Sequence, residues 1–141
     1  MTIPTPGSVT DAEWKRQTKQ AIDPILAGRS PAIGFQTGGA VTQITNKATA
    51  VTLNRACGEI TMDAANLAAA TIVTFVLNNS HLAVGDQIVC THHATGTFGA
   101  YTINGRVTAA GAGAVDVRNN TAAGLAEAIV IKFSVIKGAI I

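Results

Sequence analysis

The segment AEAIVIKFSVI, residues 126–136, determines how this chain is expected to fold. Its side chains alternate in character with a period of two, which is the period of a β-strand. One set is wholly apolar and consists of Ile129, Ile131, Phe133 and Val135. The intervening set is mixed and consists of Val130, Lys132, Ser134 and Ile136. The segment is therefore predicted to be a strand with one face turned toward a core.

Seven further segments upstream have strand-like composition and are separated by Gly-, Asn- and Asp-containing turns. They are residues 41–45, 50–54, 58–62, 71–78, 87–92, 100–108 and 114–118. Because strands and helices do not alternate along the chain, a doubly wound nucleotide-binding sheet is excluded. Eight short strands with such turns predict an all-β fold, an antiparallel β-sandwich of jelly-roll type with a short N-terminal arm and helix.

The N-terminal region changes to a helical pattern. Thr10 and Glu13 have the spacing of a capping box, in which the threonine hydroxyl accepts a hydrogen bond from the glutamate amide. Apolar residues then recur at helical spacing, which predicts a short amphipathic helix. Pro24 is expected to end or kink this helix near Ile22, because proline lacks an amide donor and clashes with the preceding turn.

The helix is flanked by segments rich in proline and glycine. Residues 1–9 are predicted to be an extended arm, and residues 27–40 are predicted to be a linker. We therefore divide the chain into an N-terminal arm, helix and linker over residues 1–37 and a β-sandwich over residues 38–141.

Composition limits the possible functions. Charged residues make up 13% of the chain, against about 25% in an ordinary domain, and hydrophobic residues make up 48%. The net charge is +2 and the basic residues are scattered, so the cation cluster that nucleic-acid binding requires is missing. The apolar run 68–77 is shorter than the ~20 residues of a membrane helix, and the start lacks a signal-peptide pattern. We expect a soluble, non-secreted protein without nucleic-acid or membrane partners.

The densest polar cluster is Cys90-Thr91-His92-His93. On a strand, Cys90 and His92 share one face and could supply two zinc ligands, with Cys57 or His81 as distant third ligands. A cysteine nucleophile assisted by either histidine is a second possibility. Neither has supporting motifs, and the favoured interpretation is two reduced, buried thiols. We predict no enzyme activity, no metal and no cofactor.

A charge-poor sandwich exposes large neutral areas, and such patches usually mark contacts between proteins. The helix adds a possible anchor, because tryptophan is enriched at interface hot spots. The residues predicted to bind a partner are Trp14, Ile22 and Ile25. Whether Trp14 docks on its own sandwich or on a neighbouring subunit remains open at this stage.

The sequence of residues 38–137 resembles those of a family of small structural proteins of tailed phages, the capsid cement or decoration proteins. The resemblance is carried by GGAVTQ (38–43), VTLN (51–54), CGEITM (57–62), GAYTI (99–103) and NNTAAGLAEAIVIKF (119–133).

This resemblance implies a jelly-roll protein that coats the outside of an icosahedral head and bridges its capsomers. The implied partners are the major capsid protein and further copies of the chain, as a homodimer or homotrimer, with no cofactor. The implied location is the outer surface of the capsid in the virion, and the host cytoplasm during assembly. The alternative is a receptor-binding or fibre module of a phage tail or head.

Overall fold

The N-terminal helix begins at the predicted cap. In the computed structural model, α1 (Asp11–Leu26) follows Thr10, whose Oγ1 accepts a hydrogen bond from the Glu13 amide at 3.2 Å. The prediction that Pro24 ends the helix near Ile22 is wrong, since the helix continues to Leu26. The fixed φ of proline is helical, and the amide donor it removes is lost only in the last turn.

The structure describes residues 10–26 and 38–138, with the helix side chains described over residues 12–19. The chain divides into two compact units, Met1–Gln36 and Thr37–Ile141. The predicted arm and most of the predicted linker lie outside the described residues. Residues 39 and 40 of that linker instead belong to a strand, so the linker prediction is wrong there.

All eight predicted strands are present, with shifted boundaries. They are β1 (Gly39–Thr42), β2 (Val51–Thr52), β3 (Cys57–Thr61), β4 (Ile72–Asn78), β5 (Gln87–Ala94), β6 (Tyr101–Ala109), β7 (Ala112–Asn119) and β8 (Val130–Ile136). They form two four-stranded sheets, in the orders β1-β3-β8-β5 and β2-β4-β7-β6. The unit is therefore an all-β sandwich.

Both sheets are mixed, so the prediction of a fully antiparallel sandwich is wrong for two strand pairs. β1 pairs with β3 in parallel, and β2 pairs with β4 in parallel. The cause is the path of the chain, which alternates between the sheets from β1 to β6. The chain crosses to the other sheet and back between β1 and β3, and likewise between β2 and β4. The second strand of each pair therefore runs in the same direction as the first, and the two pair in parallel.

The core lies between the two sheets. The predicted alternation in β8 is confirmed, because its apolar set and the preceding Ile129 are at most 3% exposed. The facing sheet contributes side chains from its two central strands, namely Phe75, Leu77, Val115 and Val117. Burying each large apolar side chain stabilises the fold by about 1.5–3 kcal/mol.

One side of the sandwich is closed by a close approach between the edge strands β5 and β6. A Cβ atom at Gly105 in β6 would lie 2.8 Å from the backbone oxygen of Ile88 and 2.9 Å from its Cβ. Gly113 in β7 leaves room for the end of the same isoleucine side chain. Two residues without side chains thus admit Ile88 between the sheets.

Replacing Gly105 with alanine is therefore expected to destabilise the sandwich by about 1–3 kcal/mol, because the new methyl group meets backbone atoms. The measurement is the free energy of unfolding in urea. Asn104→Ala, on the exposed face of the same strand, is the matched control and is expected to change stability by less than about 0.5 kcal/mol. Equal stabilities of the two variants would contradict the close approach.

Candidate functional site

The structure describes one of the three side chains predicted to bind a partner. Trp14 lies in α1 and is 42% exposed. Ile22 and Ile25 lie in the same helix, but their side chains lie outside the described residues. An exposed tryptophan on a helix is available as an interface anchor.

Strand β5 separates the cysteine–histidine cluster in the way that its alternation predicts. Cys90 and His92 are half-buried on the inner face, and His93 is exposed on the outer face. His93 Nε2 lies 3.6 Å from Glu59 Oε1 on that outer face. Burial raises the pKa of the Cys90 thiol to about 12, so this group stays protonated and unreactive at neutral pH.

Neither Cys57 nor Cys90 forms a disulfide, and each is half-buried. Over residues 10–26 and 38–138, no group of three or more His, Cys, Asp or Glu side chains is arranged so that it could hold a metal ion. Two acids that could orient a histidine for a Cys90 nucleophile are held elsewhere, since Asp86 pairs with Lys137 and Asp116 pairs with Arg106.

His92 is instead part of an aromatic cluster beneath the loop that follows β5. Its ring stacks on Phe98 with centroids 4.5 Å apart and meets the edge of Tyr101 at 5.7 Å. Nε2 lies 2.7 Å from the Thr95 carbonyl oxygen, so the tautomer with hydrogen on Nε2 donates this bond. The other ring nitrogen, Nδ1, is buried without a hydrogen-bond partner among the described residues.

Glu127 holds this loop from the opposite side. Its Oε1 accepts from the Thr97 hydroxyl at 2.7 Å, and its Oε2 accepts from the Thr97 amide at 3.0 Å and from the Tyr101 hydroxyl at 2.8 Å. These donors, the Thr97 hydroxyl foremost, lower the pKa of Glu127. Burial, together with the bond to Glu127, raises the pKa of Tyr101. The carboxylate is thus engaged in holding the loop.

The loop backbone is tightly wound. Thr95, Gly96 and Gly99 all have positive φ, at 58°, 71° and 82°. A Cβ atom at Gly96 would lie 2.6 Å from Ile129 Cγ2 and 2.8 Å from Glu127 Oε2, so only glycine fits there. This winding places Phe98 at the tip of the loop, where its side chain is 65% exposed.

A buried lysine joins its own loop to two other segments at the same end of the sandwich. Lys47 is 4% exposed, and its Nζ donates to the carbonyl oxygens of Asp63 and Glu127, each at 2.5 Å. Burial lowers the pKa of this ammonium group, and the charges of Asp63 and Glu127 oppose that shift. Gln43 Nε2 in turn donates to the carbonyl oxygens of Lys47 and Thr49 at 3.0 and 2.8 Å.

Asn119 performs a similar role between two loops. Its side-chain nitrogen donates to the carbonyl oxygens of Leu67, Ala68 and Ala123 at 2.8–3.2 Å. Its Oδ1 accepts from the amide and hydroxyl of Thr121. This residue opens the formal glycosylation motif Asn119-Asn120-Thr121, but it is fully buried and therefore inaccessible.

The four loops that these residues connect lie at one end of the sandwich, which follows from the strand directions. We call them the loop platform, which consists of residues 43–50, 62–71, 95–100 and 120–129. Backbone hydrogen bonds between Leu67 and Leu125 add a direct link between the second and fourth loops. The loop platform is the candidate functional site, because it combines several segments into one ordered surface.

Sequence reasoning missed this site. From the sequence, Lys47 and Glu127 are interpreted as ordinary surface charges, and the loops are interpreted as turns between strands. The available signal was Phe98, a large aromatic residue within a Gly- and Thr-rich turn.

Comparisons of the chain with protein-family models, with curated proteins and with solved structures find no match. Among the residues that the structure describes, no helix has the length and apolar character required to cross a membrane.

The Glu127 bonds predict a pH dependence. A lowered folded-state pKa contributes stability above the ordinary glutamate pKa of about 4.3, and this stability is lost as the pH falls through the lower folded value. Glu127→Gln is expected to unfold at lower urea concentration at pH 7, with the difference from wild type shrinking at acid pH. The measurement is the urea midpoint at several pH values.

The control for this experiment is Glu59→Gln. Glu59 lies on an outer sheet face, 3.5 Å from Lys132 Nζ and 3.6 Å from His93 Nε2, and is expected to contribute less. A Glu127 variant with the wild-type midpoint at pH 7 would refute the proposed role of the carboxylate.

Proposed function

We propose that this chain is a non-enzymatic structural protein that binds the outer surface of an icosahedral phage head and stabilises it by bridging capsomers. Its partners in this proposal are the major capsid protein and further copies of the chain, as a homodimer or homotrimer. It acts on the outer surface of the virion capsid and is present in the host cytoplasm during assembly.

The observation that carries the proposal is the combination of exposed apolar side chains with charged groups that are bonded internally. Lys47 and Glu127 hold loops together, and Asp86 accepts hydrogen bonds from Lys137 and from the Ala83 and Gly138 amides. Large apolar side chains remain exposed on the sandwich, namely Ile44, Ile72, Val76, Val84, Val89, Phe98 and Ile136. A surface of this kind favours contacts with other proteins.

The physical benefit of such a subunit comes from multivalency. Each copy contributes a modest binding free energy, but a copy held at two capsomers binds the second at high effective concentration. Many such bridges must break together before the shell opens. The sequence resemblance to cement proteins of tailed phages supports this reading.

The assignment to the jelly-roll type is part of the same proposal. Its support is the arrangement of eight strands in two four-stranded sheets, with β1 to β6 alternating between them. The parallel pairs β1–β3 and β2–β4 depart from a fully antiparallel jelly roll. The assignment therefore rests on the alternation between sheets.

The second candidate is a receptor-binding or fibre module of a phage tail or head. Phe98, exposed at the tip of a loop at one end of the sandwich, favours it, because binding residues are often carried on loops of a rigid scaffold. The two functions differ in location. Antibody labelling confined to the head surface, without labelling of tails or projecting tips, would exclude a tail module.

Heads that lack the protein are expected to release their DNA at a lower temperature than complete heads, because the bridges between capsomers are missing. The measurement is the fluorescence of a DNA-binding dye during heating. Adding the purified protein back is the control and is expected to restore the higher release temperature. Identical release temperatures in all three samples would rule out a stabilising role.

Deletion of residues 1–37 is expected to leave the unfolding midpoint of the sandwich unchanged, because the helix and the sandwich belong to separate compact units. Attachment to heads is expected to weaken. Trp14→Ala in the full chain is expected to cost about 2 kcal/mol of binding free energy if the ring is a hot spot. A truncated chain that loses its β-sheet circular dichroism signal would show that the N-terminal unit belongs to the core.

A further inference from the structure

The loop platform has a smaller fraction of charged residues than the chain as a whole. It contains three charged residues, of which Lys47 is buried and Asp63 and Glu127 are half-buried. Lys47 is buried against two carbonyl oxygens, and the Glu127 carboxylate accepts bonds from Thr97 and Tyr101. Asp63 Oδ1 accepts from the Ala65 amide at 2.7 Å. The surface that remains is formed by alanine, threonine, asparagine, glycine and two large apolar side chains.

The other described surfaces of the sandwich all carry charge. The outer face of the first sheet bears Glu59 and Lys132, and that of the second sheet bears Arg106, Asp116 and Arg118. The opposite end exposes Arg55, His81 and Lys137. Each of those surfaces has at least one largely exposed charged side chain, whereas the charged side chains of the loop platform are buried or half-buried.

Two apolar side chains project from this charge-poor surface. Ile44 is 85% exposed and follows β1, and Phe98 is 65% exposed and follows β5. Since β1 and β5 are the outer strands of one four-stranded sheet, the two loops leave it about 14 Å apart. Both are connected to Glu127, one through Lys47 and the other through Thr97. The anchors are therefore presented on ordered loops, which lowers the entropy lost on binding.

We infer that the loop platform is the surface through which the sandwich docks on the shell, with Ile44 and Phe98 as its apolar anchors. This inference rests on the proposed function. Its occupant is an uncharged area of the larger shell subunit with shallow apolar depressions for the two anchors. A charged group on the partner would lose its water against this surface, where the carboxylates of Asp63 and Glu127 are already bonded within the loops. The four loops also provide roughly the 20–30 residues of a standard interface.

The shell is favoured over a second copy as the occupant by the distribution of charge. If two copies paired platform to platform, the charge-poor end would be buried between them, and the shell could contact only the charged faces. Docking through the platform leaves the charged opposite end, where β1 begins and β8 ends, outside this contact.

The test uses the full chain and heads that lack it. Two exposed alanines provide a matched pair, Ala122→Glu within the loop platform and Ala110→Glu in the turn between β6 and β7 at the opposite end. Ala122→Glu is expected to reduce the affinity for heads by about a hundredfold or more, because docking buries the new charge. Ala110→Glu is expected to bind like wild type. Co-sedimentation with heads over a range of protein concentrations measures both.

The anchors are tested in the same assay with Ile44→Ser and Phe98→Ser, each expected to lower the affinity about tenfold. Val84→Ser is the control, because Val84 is 71% exposed at the opposite end. Urea midpoints establish that each variant is folded. This matters most for Phe98, which stacks on His92.

The outcomes separate the inference from the proposed function. If the wild-type protein binds heads and the Ala122→Glu and Ile44→Ser variants bind them equally well, the platform assignment is overturned and the proposed function stands. Variants that bind heads normally but change the sedimentation coefficient of the free protein would show a contact between copies, which also overturns it. Wild-type protein that does not bind heads refutes the proposed function, and the assignment falls with it.

Discussion

Burial of the inner face of β8 against the facing sheet is the contact on which the rest of the sandwich depends. β8 lies between β3 and β5, and its inward side chains meet those of β4 and β7 across the core. This contact fixes which face of each neighbouring strand is buried, because a shift by one residue would turn every side chain to the opposite face. The ends of the strands, and therefore the positions of the loops, follow from that register.

The loops at one end show how a chain with few charged residues uses them. A buried ammonium group normally costs free energy, and Lys47 offsets that cost by donating to two carbonyl oxygens from different loops. Glu127 and Asn119 likewise satisfy backbone donors and acceptors that regular strands would otherwise pair. Polar side chains thus replace sheet hydrogen bonds where the chain is irregular, and the exposed surface above them is left with few charged groups.

Much of the sandwich could be predicted from the sequence, because a period of two along a strand is visible in residues such as Ile131 and Phe133. The relative direction of paired strands could not be predicted, since apolar and polar residues alternate in the same way in parallel and antiparallel strands. β1 therefore paired with β3 in a way that the sequence did not indicate. The candidate site was hidden for a related reason. Lys47 and Glu127 are 80 residues apart, and no local pattern shows that one binds the carbonyl oxygen of the other.

The order of the strands has a consequence for biosynthesis. β8 is the last of the eight strands to leave the ribosome, yet it occupies a central place in its sheet. Until it emerges, β3 and β5 lack the neighbour that joins them, and their edges are open to pairing with other chains. Such a non-local topology folds slowly, and nascent chains are exposed to aggregation during that interval. Productive folding of this sandwich therefore waits for β8, and its yield depends on how well unfinished chains are kept apart.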